Sequence, residues 1–193
     1  MTERVEKPTI VIERPTPKAR FIDFKVENEE WNKYELEDHT ILRVKFILTG
    51  VMVDKTMEEI KKEARKSGKK LKIGFTIRSQ NVFGVESPPR LRGRPDSRRY
   101  SPEELRASIV KPRLGFITTR ETWNSYLLEN GMSMKAKISP TFINRTSKFD
   151  IRGIPIYTLD FTIDVLLNLP EQIDNILKKH QKARRARAKE TKS

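Results

Sequence analysis

The sequence predicts a mainly β fold: a tandem duplication of a small antiparallel β-sheet or barrel unit, with short helices and a basic C-terminal tail. Three observations predict it. Glu29, Trp31, Asn32, Tyr34, Leu36, Glu37 and Lys45 return without a gap, 92 positions later, as Glu121, Trp123, Asn124, Tyr126, Leu128, Glu129 and Lys137, and Phe24 returns as Phe116. The match then resumes at a spacing of 82, aligning Phe75-Thr76-Ile77 with Tyr157-Thr158-Leu159, Val85 with Leu167 and Pro88 with Pro170. The segments around these positions alternate apolar and polar residues with the period of a half-buried strand.

Residues 1–19 form an extended N-terminal arm with one β-prone run, Thr9 to Ile12, between prolines. The first β unit covers 20–89. It starts with FIDFKV and continues through a strand at Trp31 to Leu36 and a tight polar turn at Glu37 to His39. A long strand follows in which Leu42, Val44, Phe46 and Leu48 face one way while Arg43 and Lys45 face the other. The second unit has Asn130-Gly131 at the same turn, a hairpin signal because both residues accept positive φ.

The ten extra residues of the first unit lie in a basic helical insertion at 54–70. It opens on the capping-box pattern Thr56-Met57-Glu58-Glu59 and runs to the breaker Gly68. Met57, Ile60 and Ala64 give this helix one apolar stripe, and Lys61, Lys62, Arg65 and Lys66 cover the rest. A strand from Leu71 to about Ile77, or on to Val85, completes the unit. Residues 90–112 read as an Arg-rich linker and a short helix, capped by Ser101-Pro102-Glu103-Glu104 and ended before Pro112. The second β unit, 113–169, has strands near 114–118, 124–128, 132–144 and 155–168. In 170–193, Ile173, Ile176 and Leu177 make a brief apolar stripe that gives way to the tail QKARRARAKETKS.

The residue inventory points away from an enzyme. There is no cysteine, so no disulfide, thiolate metal site or cysteine nucleophile. His39 and His180 are isolated, and no Gly-rich phosphate loop or nucleophile motif occurs. The expectation is no catalytic residue, no metal and no cofactor. The recurring carboxylates Glu29/Glu121 and Glu37/Glu129 sit beside tight turns, where backbone hydrogen bonding is their expected role. The charged, Pro-interrupted start is no secretory signal, and no apolar run approaches the roughly 20 residues of a membrane span. A cytoplasmic protein with no membrane partner is expected. Abundant Lys, Arg and Glu without Cys resembles the composition of proteins from very hot environments.

The charge distribution carries the functional expectation. The net charge is +14, yet three blocks alone sum to +17: Lys61 to Lys72 (+6), Arg90 to Arg99 (+4) and Lys178 to Lys192 (+7). Everything else is nearly neutral, at −3. Blocks of one sign repel themselves and favour an anionic partner. The expected phosphate contacts are Lys61, Lys62, Arg65, Lys66, Lys69 and Lys70 from the first block, and Arg90, Arg92, Arg94, Arg98 and Arg99 from the second. The tail adds Lys178, Lys179, Lys182, Arg184, Arg185 and Arg187. Two of the blocks follow the last strand and proline of each unit. Arg92-Gly93-Arg94-Pro95 resembles the core of an AT-hook, with Leu91 where a proline usually stands.

Arg43/Lys45 and Lys135/Lys137 form a basic outward stripe that serves phosphate contact or solubility equally well. Trp31, Tyr34, Trp123 and Tyr126 are core or inter-unit residues in the first reading and a base-stacking platform in the second. A neutral β body with basic extensions resembles the layout of many ribosomal proteins. The sequence therefore reads as a non-enzymatic nucleic-acid-binding protein associated with structured RNA or a ribonucleoprotein. A chromosomal DNA-binding protein is the near alternative, and a structural subunit of a large complex or virus-like particle, contacting other proteins of the assembly, is the other class.

Overall fold

The computed structural model describes residues 9–67 and 70–190, with the side chains of all of these except 9, 10, 67, 70, 180–182 and 184–190. The fold is mainly β. The chain opens with β1 (Thr9–Glu13), β2 (Arg20–Ile22), β3 (Phe24–Asn28), β4 (Asn32–Leu36) and β5 (Ile41–Val53). Helix α1 (Met57–Ser67) and β6 (Lys70–Glu86) follow, then a 3-10 turn at Pro89–Leu91, α2 (Pro102–Ala107) and β7 (Ile109–Lys111). The last part holds β8 (Phe116–Arg120), β9 (Asn124–Leu128), β10 (Ser133–Phe149), β11 (Pro155–Asn168) and α3 (Glu171–Glu190).

Two open sheets replace the barrel that the sequence left in view. One runs β1-β6-β5-β4-β8, with β2 also on β5; the other runs β11-β10-β9-β3, with β7 also on β10. Pairing is antiparallel except where β1 lies parallel to β6. Each sheet is built on a long antiparallel pair, β5–β6 or β10–β11, of which β5 and the first part of β10 alternate buried with more exposed residues. Strand β6 continues unbroken to Glu86, well past Ile77.

Strands β3 and β8 do not stay with their own sequence units. Strand β3 pairs with β9, matching Phe24 to Leu128, and β8 pairs with β4, matching Phe116 to Leu36. Hydrogen bonds at this crossing come in twos, one per half. Asn32 Nδ2 donates to the Ile138 carbonyl at 2.9 Å, and Asn124 Nδ2 donates to the Phe46 carbonyl at 3.0 Å. Their Oδ1 atoms accept the backbone N–H of Thr122 and of Glu30. The Tyr34 hydroxyl donates to Glu121 at 2.7 Å, and that of Tyr126 donates to Glu29 at 3.0 Å. Phe116 and Phe24 meet these tyrosine rings edge to face, at 5.7 and 6.0 Å. Tyr34 and Tyr126 are fully buried in one hydrophobic cluster that draws on both halves.

The turns obey their residues. His39 takes φ 65° where the second half has Gly131 at φ 81°, and each donates its N–H back to the carbonyl of Leu36 or Leu128. Thr56 and Glu59 close the capping box of α1, and Ser101 with Glu104 does the same for α2. No helix among the described residues is long and apolar enough to cross a membrane.

Candidate nucleic-acid interface

The basic blocks are sorted into two places by how the halves interlock. Helix α1 caps the far end of the β5–β6 hairpin, and α3, which leaves β11 at Asn168, packs against it. Ile60 and Ala64 of α1 and Ile173 and Leu177 of α3 are buried. Their charged faces therefore turn outward, so blocks more than a hundred residues apart in the chain converge on one helical patch. Lys62, Arg65, Lys66, Lys178 and Lys179 are exposed there, and Lys61 is half-buried. Lys61 pairs with Glu58 at 3.0 Å and Lys178 with Asp174 at 2.6 Å, whereas Lys62, Arg65, Lys66 and Lys179 have no ion pair among the described residues. The α1 cations, with Glu58 and Glu59, line a groove of about 560 Å³.

The middle block lies at the opposite end. After β6 the chain crosses to the tip of the β10–β11 hairpin and is fastened there as a strap. Gly93 N–H donates to the Gly153 carbonyl and Asp96 N–H to the Asp150 carbonyl, each at 3.0 Å. A side chain at Gly93 would run into the Phe149 ring, its Cβ falling 2.3 Å from the nearest ring carbon. Gly93 is thus packed against the protein, and the segment that resembles an AT-hook core is docked as a strap. Arg92, Arg94 and Arg99 are exposed without an ion pair among the described residues, while Arg98 pairs with Glu104. Arg90 folds back to donate to the Asp38 carbonyl at 2.9 Å. Tyr100 holds Arg98 and Lys148 near its ring, both 5.3 Å from the centroid.

Other expected contacts fare differently. Lys69 lies outside the described residues, as do the side chains of Lys70, Lys182, Arg184, Arg185 and Arg187. The stacking platform does not hold for Tyr34 and Tyr126, whose rings have no exposed face; burial, and then the neighbouring carboxylate, pushes both phenols well above the ordinary range. Trp31 is 40% exposed, and Trp123 is half-buried beneath Lys137, whose Nζ is 5.3 Å from the ring centre. The outward stripe is largely neutralised within the protein: Arg43 pairs with Glu86, Lys45 with Glu29 and Lys137 with Glu121, leaving Lys135. Glu37 accepts the Gly115 N–H at 2.9 Å and pairs with Lys111 at 3.0 Å, so it holds a turn to β8.

Sequence reasoning missed Arg152, which flanks the strap and is held by Asp150 at 2.9 Å. It also missed Lys33 and Arg120, which stand beside Arg43 across β4 and β8, with Arg120 held by Glu30. These residues are scattered in the chain, and no local charge run marks them. Comparison with protein-family models, characterised proteins and solved structures finds no match to this chain.

Proposed function

We propose that the chain is built from two copies of one β unit and works as a non-enzymatic binder of nucleic acid, specifically of structured RNA or a ribonucleoprotein, in the cytoplasm. The observation that carries this reading is the packing of α3 on α1, which joins the first and third basic blocks on one exposed face while the body stays nearly neutral. Four cations of that patch have no described acidic partner, so binding phosphates breaks no described ion pair of theirs and releases counterions from the polyanion. Tyr34 and Tyr126 are buried and offer no face to bases, which favours backbone recognition over base stacking.

The test is fluorescence anisotropy of the full chain with a structured RNA and a DNA duplex at two salt concentrations. Lys62→Ala/Arg65→Ala/Lys66→Ala serves as the comparison. Tighter RNA binding, a steep salt slope for the parent and a slope flattened by about 2 to 3 in the variant are expected. Absence of binding to either polymer at moderate salt would remove the reading.

A structural-subunit reading has its own observation. Among the described residues, β11 is paired only along β10, and the Phe75–Glu86 stretch of β6 only along β5, so each sheet ends in a long edge without a backbone partner. The two edges meet at Phe83 and Phe161, whose rings lie 5.8 Å apart. A defined oligomer in light scattering after nuclease treatment would favour this second reading.

A further inference from the structure

We propose that the helical patch and the strap patch bind the same RNA double helix together, as a two-point clamp that needs a duplex longer than about one helical turn. This rests on the nucleic-acid reading above and adds the form and minimum length of the partner.

The two patches stand at opposite ends of the same long hairpins. Helix α3 leaves β11 beyond Asn168, and the strap is fastened beyond the other end of that strand, at Asp150 and Gly153. Strand β11 has 14 residues, which at about 3.3 Å each separates the ends by roughly 45 Å. The other hairpin gives an independent measure. Helix α1 sits at its far end near Val53, the strap leaves from beyond Glu86, and the 13 residues of β5 span about 43 Å at the same rise.

That separation selects the ligand. A phosphate cluster, a nucleotide or a short stem reaches only one patch. A B-form duplex rising about 3.4 Å per base pair needs about 13 base pairs to touch both, and an A-form RNA helix, which rises less per pair, needs more, toward the roughly 16 base pairs that double-stranded-RNA modules cover. A double helix is stiff over this distance, with a persistence length of about 50 nm for DNA, so it meets two fixed points without first being ordered. A single strand pays that ordering cost and usually recovers it by stacking, for which Tyr34 and Tyr126 are closed. The strap also behaves as a fixed point: its backbone bonds and the packing of Gly93 on Phe149 hold Arg92 and Arg94 at a set place on the hairpin tip.

The experiment compares binding of the full chain to RNA stems of about 8 and about 20 base pairs at fixed salt, with a DNA duplex of about 20 base pairs as a third arm. It is repeated with Arg92→Ala/Arg94→Ala/Arg99→Ala and with Lys62→Ala/Arg65→Ala/Lys66→Ala. All six side chains are exposed, and unchanged circular dichroism and melting curves establish that the variants fold. The long RNA stem is expected to bind roughly 100-fold more tightly than the short one, and either triple substitution should remove most of that advantage while leaving short-stem binding through the other patch. Equal affinity for the two lengths, or a length advantage that survives the strap substitutions, overturns the clamp while leaving the RNA-binding reading intact. Tighter binding of the DNA duplex overturns the assignment to RNA. No binding in any arm overturns the clamp and the parent reading alike.

Discussion

At the scale of single residues, the crossing between the halves is built from equivalent side chains, and equivalence is measurable. Asn32 and Asn124 each bridge one buried and one part-buried backbone group of the other half's segments. Replacing either with Ala leaves those groups unpaired, so each variant should lose about 2 to 4 kcal/mol in urea unfolding. A difference between the two larger than their measurement error would show that the sites are not alike. The carboxylates of the same region govern acid stability. Burial pushes Glu121 up, but hydrogen bonds from Lys137 and Tyr34 outweigh it and hold the group below its usual range. Asp38 is likewise pushed up by burial and brought down further by Thr40, Tyr157 and Arg145. A carboxylate depressed in the folded state gives stability that is full above its unfolded pKa, about 4, and lost as pH falls through the lower folded value. Stability should thus fall steeply below about pH 4, and Glu121→Gln should flatten that fall; an unchanged acid limb would contradict the assignment. His39 tests the backbone rather than a charge. It holds φ 65° with an exposed side chain, so His39→Gly relieves a left-handed strain of about 1 kcal/mol against a greater entropy of the unfolded chain. The expected net change is within about 0.5 kcal/mol of zero, whereas Gly131→Ala at φ 81° should cost about 1 kcal/mol or more.

At the scale of elements, the strap is the piece whose role can be separated from its charge. Gly93→Ala drives a methyl group into the Phe149 ring without touching any arginine. The strap should lift, trypsin should cut between Arg92 and Arg99 faster than in the parent chain, and the melting temperature should move little because no core residue is involved. If cleavage at these sites is unchanged, Gly93 is not the fastening point. Elements of this kind show what was legible beforehand. The Thr56–Glu59 and Ser101–Glu104 capping boxes located both helices, and the alternation through Leu42, Val44, Phe46 and Leu48 located a strand and its buried face. The docking of the strap was not legible, because a run of Pro and Arg reads as a loop and only the distant Phe149 and Gly153 give Gly93 its partners. The convergence of the first and third basic blocks was equally hidden: the short stripes Ile60/Ala64 and Ile173/Leu177 declare that each helix packs, but not that it packs on the other.

At the scale of the whole molecule, the same ambiguity decided the topology. Phe24 and Phe116 are identical, and so are Leu36 and Leu128, so a strand kept at home and a strand exchanged leave the same pattern in the sequence. The structure takes the exchanged form, and the bonds that hold it join residues 78 to 106 positions apart. Neither half then owns a complete sheet. Residues 1–112 alone would keep β4 without β8 and β3 without β9, and Tyr34 would bury its hydroxyl without Glu121. Residues 113–193 alone would lose Glu29 from Tyr126 and the α1 surface on which Ile173 and Leu177 are covered. Each half expressed singly should therefore show little fixed tertiary structure, while the two mixed should recover the spectrum of the intact chain. The intact chain should unfold in one cooperative transition and, with contacts of such long range, refold slowly for its size. Two resolved calorimetric transitions, or a half that melts cooperatively on its own, would mean that the exchanged strands contribute little and that the halves are separate folds joined by the strap. The clamp described above would then have no fixed span, since the roughly 45 Å between its patches is set by hairpins that only the interlocked halves hold in place.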